Sequence, residues 1–121
     1  RVEKKYWAKL EGKLPAATTI DLALNTDNRV NGIRKVVPDI HGKAAETTFT
    51  PVKYDERHTW VICKIKHGRT HQIRAHASSF NMPVVGDSLY GARAVNGKRK
   101  IFLHAQSLAF NDYQWQCEAE F

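Results

Sequence analysis

From His67 to Gly91 the chain reads HGRTHQIRAHASSFNMPVVGDSLYG, and this stretch most limits what the whole can fold into. Ile73, Ala77 and Phe80, spaced four and three apart, make one apolar stripe, which predicts a helix from about His71 to Phe80 lying against a core. Gly68 offers a backbone conformation closed to other residues, Thr70 is the candidate N-cap, and Met82-Pro83 ends the helix. Arg74 falls beside the stripe, at the border of core and cleft. A guanidinium tolerates desolvation there only if a carboxylate or phosphate meets it.

Strand patterns surround this helix. Lys5 to Glu11 alternates, with Tyr6, Ala8 and Leu10 on one face and Trp7 and Lys9 on the other, and Thr18 to Leu24 reads as a second short strand. Asn25 to Lys43 is rich in Asn, Asp and Gly and carries Arg29, Arg34, Lys35 and Lys43; it reads as a long turn-rich excursion with a short strand at Lys35–Val37. Ala45 to Tyr54 and Thr59 to Lys66 form an antiparallel hairpin, with Pro51 marking an edge or bulge. Pro83 to Gly91 is a turn-rich crossing, and Phe102 to Phe110 and Tyr113 to Phe121 are two closing strands. Many strands, hairpin connections and one clear helix predict an α+β fold with a mainly antiparallel or mixed sheet and few helices.

At 121 residues this is one packed unit or part of one. A net charge of +7 and a pI near 9.6 favour an acidic partner. Nucleic acid fits better than membrane, because no basic amphipathic helix or long apolar run occurs. Arg29, Arg34 and Lys35 in the excursion, and the cluster Lys98, Arg99 and Lys100, are the candidate phosphate contacts. Cys63 and Cys117 are far apart in sequence and form no CxxC pair; structural thiols in a reducing, cytoplasmic setting are expected, and neither a disulfide framework nor a zinc site is supported. His71 and His76 are five apart, one more than the spacing that stacks two ligands on a helix face, so no metal is expected. No GxSxG, phosphate-loop or dinucleotide pattern occurs either. The residues by themselves describe a nucleic-acid binder or an enzyme acting on nucleic acid.

The run G-R-T-H-Q-I-R-x-H, followed by a helix and P-V-V-G-D-x-L-Y-G, resembles the signature of the RluA-type RNA pseudouridine synthases. KKYWAKLEG is similar to that family's K-x-Y-x-A strand, GKAAETTF to its G-K-x-A-x-T-x-F strand and FLHAQSLAF to its L-H-A-x-x-L strand. The spacing of NTDNRVNGIRKVVPDIHGK resembles the branch that modifies large-subunit ribosomal RNA. The resemblance implies isomerisation of uridine to pseudouridine in structured RNA, with no metal or organic cofactor, on a base flipped out of its stack. By its place in the motif, Tyr6 matches the pocket tyrosine that packs on the target base and takes part in proton transfer. Arg74 matches the arginine that pairs with the catalytic aspartate, and Ile73 matches an apolar wall, with Arg69, His71 and Gln72 around the same substrate pocket.

The family's nucleophile sits in a His-Arg-Leu-Asp motif upstream of the K-x-Y-x-A strand, and no such motif occurs among these residues. Asp87 matches an additional aspartate, whose expected role is to tie a turn. The chain therefore resembles the C-terminal portion of one pseudouridine synthase catalytic domain, expected to be inactive without its nucleophile-bearing portion. The alternative is a non-catalytic RNA-binding remnant of the same fold.

Overall fold

A computed structural model describes residues 4–93 and 101–105. Its framework is a five-stranded sheet built from β1 (Lys4–Glu11), β2 (Thr18–Ile20), β7 (Thr47–Tyr54), β8 (His58–Ile65) and β9 (Leu103–Ala105), in the order β2-β7-β8-β1-β9. Every pairing in it is antiparallel. The β7–β8 hairpin forms where the alternating β-branched and aromatic runs place it, and Pro51, which cannot donate to the ladder, coincides with a bulge between Pro51 and Lys53.

Register puts Tyr6 opposite Cys63, Ala8 opposite Val61, and Phe49 opposite Cys63. That shared face, with Leu10 and Ile65, is the main core, and α1 (Gln72–Ser79) lies on it through Ile73 and Ala77. Phe80 packs edge-on against Phe49 at 5.4 Å, so the predicted stripe is the buried face of the helix. The opposite face of the sheet is covered too: Trp7 is buried, and Lys9 lies over the Trp60 and Phe102 rings. Burial pushes the Cys63 thiol well above its ordinary pKa, so it is an inert core group.

Several expectations need correction. The helix does not start from a Thr70 cap; His71 occupies the cap position with φ 53°, and no side chain caps the first turn. Gly68 does not take a left-handed conformation, and it is the imidazole-bearing His71 that carries the positive φ at this turn. The strand expected over Thr18 to Leu24 breaks after Ile20, because the Leu22 carbonyl accepts a hydrogen bond from His76 Nε2 instead of extending the ladder. Leu22 is consequently exposed, while Leu24 opens β3 (Leu24–Asn25).

The excursion is also more ordered than a loop. β3 pairs with β6 (Val37–Pro38), and β4 (Arg29–Val30) pairs with β5 (Ile33–Arg34) across a tight turn at Asn31 and Gly32, with φ 52° and 81°. Two positive φ values in a row make the turn a hairpin type that Asn-Gly favours. The short strand falls at Val37–Pro38 rather than Lys35–Val37, since the Val36 N–H is taken by a side chain. Lys98, Arg99 and Lys100, Cys117 and most of the two closing strands lie outside the described residues.

Candidate active site

The start of β1, the Gly68–Thr70 turn and the start of α1 form a cleft of about 280 Å³ lined by Lys4, Tyr6, Arg69, His71, Gln72 and Ile73. A volume near the lower end of small-molecule sites suits one planar ring better than an extended ligand. The structure thus brings together five of the residues the sequence singles out. Tyr6 reaches the cleft because strand alternation turns it to the helix side of β1, and burial raises its hydroxyl pKa, so it is a neutral phenol at physiological pH.

The polar groups beside the cleft are held by a continuous chain of hydrogen bonds. Arg69 N–H donates to Gln72 Oε1 at 3.1 Å; Gln72 Nε2 donates to the Glu46 carbonyl and to Thr47 Oγ1; Arg69 Nε donates to the Ala44 carbonyl at 2.8 Å. Thr47 Oγ1 then meets His76 Nδ1 at 2.8 Å, and His76 Nε2 meets the Leu22 carbonyl at 2.8 Å. A carbonyl only accepts, so His76 Nε2 carries the proton and Nδ1 receives the threonine hydroxyl. Gln72 lines the cleft, but its amide is committed to this chain, which fixes the Arg69 turn against β7.

This chain has a measurable consequence. Burial, opposed more weakly by the Leu22 carbonyl and Asp21, pushes the His76 imidazole below its ordinary value of 6.5. The folded protein keeps His76 neutral, whereas the unfolded chain takes up a proton as pH falls through about 6.5, so stability is lost on acidification. Denaturation midpoints are expected to drop between about pH 7.5 and 5.5, with a weaker dependence in His76→Gln.

Arg74 does not line the cleft. It is 7 % exposed, and its Nε and Nη2 donate to the two carboxylate oxygens of Asp87 at 2.9 and 3.0 Å. Its guanidinium carbon lies 4.9 Å from the centre of the Tyr90 ring. The turn-tying role expected of Asp87 falls to its main chain, which bonds Val84, Tyr90 and Ala92, while its carboxylate serves Arg74. The carboxylate that Arg74 demands was therefore in the sequence, thirteen residues on, at the start of the short 3-10 helix Ser88–Tyr90.

The basic ribbon reaches the same region. Arg29 and Arg34 are direct cross-strand partners, Arg34 is close enough for its charge to lower the His71 pKa, and Lys35 Nζ is 6.0 Å from the Tyr90 ring. Among the described residues no three His, Cys, Asp or Glu side chains gather as a metal site requires, and no helix is long and apolar enough to cross a membrane.

An antiparallel sheet with one packed helix thus holds a small cleft at the strand–helix junction. A family model for RNA pseudouridylate synthases matches residues 1–79, and the chain belongs to that family. It is 33 % identical over 118 residues to an uncharacterized RNA pseudouridine synthase of Helicobacter pylori strain J99, covering 98 % of this chain and 48 % of the relative. It is 34 % identical over 115 residues to the ribosomal large subunit pseudouridine synthase C of Vibrio vulnificus, covering 90 % of this chain and 36 % of that one. The solved structure of human RNA pseudouridylate synthase domain containing 1 superimposes with a TM-score of 0.73 at 28 % identity, over 85 % of this chain and 47 % of the other. The chain spans about half the length, or less, of these relatives.

Proposed function

We propose that these residues form the base-binding half of an RNA pseudouridine synthase acting on ribosomal RNA.

 The carrying observation is that Tyr6, Ile73 and His71 line one base-sized cleft while Arg74 is held beside them as an intact cation. Uridine and pseudouridine are isomers, so the reaction breaks the bond from C1′ to N1, joins C1′ to C5, and moves the C5 proton to N1. Ile73 walls the cleft against water, and the neutral Tyr6 phenol packs on the ring and exchanges protons near it. Arg74, bonded to Asp87 through Nε and Nη2, offers its remaining edge to the nucleophilic aspartate, which a segment outside these 121 residues supplies, as the chain's coverage of about half its relatives supports.

The ribosomal substrate rests on the similarity to the ribosomal large subunit pseudouridine synthase C of Vibrio vulnificus and on the basic ribbon. Like charges directly opposite on a ribbon are destabilising, so the Arg29–Arg34 pairing makes sense when a phosphate sits between them. Replacing either arginine with Gln is expected to reduce the log–log salt slope of RNA binding by about 0.7 to 0.9, read from binding isotherms at several salt concentrations. An affinity indifferent to salt argues against the ribbon as a phosphate contact.

The function is tested by incubating the intact protein, and separately the 121-residue chain, with unmodified large-subunit ribosomal RNA and mapping pseudouridine chemically. Conversion by the intact protein alone is the expected result. Binding without conversion by the intact protein favours a non-catalytic RNA-binding role, and stoichiometric conversion by the short chain places the nucleophile within it.

A further inference from the structure

Tyr90 belongs to none of the roles assigned above, yet three parts of the site converge on it. It is 3 % exposed, and its carbonyl accepts from Ser78 Oγ at 2.8 Å, which fastens the 3-10 turn to the end of α1. Its hydroxyl is 2.8 Å from the Val36 nitrogen and 2.8 Å from His71 Nδ1. Its ring takes the Arg74 guanidinium on one contact and the His71 imidazole edge-on, with centroids 5.7 Å apart at 83°.

The proton inventory decides how these groups act. Val36 N–H can only donate, so it uses a lone pair of the hydroxyl, and the hydroxyl's own proton needs an acceptor. His71 Nδ1 is at the right distance to accept it, and a buried hydroxyl proton left without an acceptor is costly. Neutral His71 therefore carries its proton on Nε2, at the edge of the ring away from Tyr90, on a residue that lines the cleft. Burial and the Arg74 charge both hold the imidazole below its ordinary pKa, consistent with a neutral ring at physiological pH. Burial also raises the Tyr90 hydroxyl, so it keeps the proton it donates.

We propose that Tyr90 is a positioning residue: its hydroxyl locks His71 in the tautomer that offers Nε2–H to an acceptor oxygen of the nucleotide in the cleft. Through Val36 the same hydroxyl ties the basic ribbon to the cleft, so the base site and the backbone site share one anchor. The inference rests on the reading of the cleft as a nucleotide site, but its central element, the His71 tautomer, is measurable without RNA.

The test uses the intact protein with ¹⁵N-labelled histidine, as wild type and as Tyr90→Phe, which keeps the ring and removes only the hydroxyl. In the wild type, nitrogen shifts are expected to show an unprotonated Nδ1 and a protonated Nε2 on His71. In Tyr90→Phe the two tautomers should mix and the His71 titration should move upward, because the bond that favours the neutral ring is gone. Single-turnover conversion of unmodified large-subunit ribosomal RNA at a pH where His71 is neutral should fall about ten- to a hundredfold. A proton on Nδ1 in the wild type overturns the proposal. So does a variant whose His71 titration is unchanged, or one whose tautomers mix while conversion stays at the wild-type rate. Should the intact wild-type protein convert no RNA, the reading of the cleft as a synthase site fails, while the tautomer and titration measurements still decide whether Tyr90 positions His71.

Discussion

If the intact protein is the synthase proposed above, Arg74→Lys is expected to cut single-turnover conversion by about 100- to 1,000-fold while RNA affinity changes little. The geometry explains why retaining the charge is not enough. The Nε and Nη2 atoms of Arg74 are occupied by Asp87, and its face rests on Tyr90, so its planar fork is already oriented before substrate arrives. Nη1 makes no hydrogen bond among the described residues, which leaves an edge of the fork for a second carboxylate. A guanidinium can serve two carboxylates on two edges; an ammonium is a point charge that Asp87 alone would draw aside. RNA affinity should persist because Arg74 is buried and the cations of the ribbon are untouched. Rapid-quench kinetics paired with filter binding separate the two quantities, and wild-type conversion by the lysine variant would show that Arg74 does not orient the nucleophile.

Local patterns in the sequence carried the hairpin, the helix and its stripe, because each depends on residues two to four apart. Tertiary demands decided the rest. The strand through Leu22 fails because His76, fifty-four residues later, claims its carbonyl. The Thr70 cap fails because the turn is closed from the other side, by Gln72 Oε1 accepting from the Arg69 N–H. The Arg29–Arg34 ribbon left only a local turn signal, Asn31-Gly32, since its strands are two residues long and too short for any periodicity. Five cleft residues were legible through a motif with a role attached, whereas Tyr90 stands in the G-D-x-L-Y-G run without one, and nothing in its neighbours announces that His71, Arg74 and Val36 meet around it.

Asp87→Asn is expected to destabilise the fold by about 3–5 kcal/mol, because it strands a buried guanidinium opposite a neutral amide. The Asp87 side chain is 1 % exposed and that of Arg74 is 8 %, so water cannot make good the lost charge. Replacing both partners tests what the pair is for. A buried ion pair and a well-packed apolar pair are often nearly equal in stability, so Arg74→Met with Asp87→Leu should recover most of the loss, within about 1–2 kcal/mol of the wild type. Urea denaturation of the two single variants and the double variant gives the coupling directly. If the double variant regains stability yet converts no RNA, the pair exists to present a cation to the cleft's reacting partner, because an apolar pair would have served the fold equally well. If it stays as unstable as Asp87→Asn, the ion pair is a structural requirement of the strand–helix junction, and its place beside the cleft says nothing about chemistry.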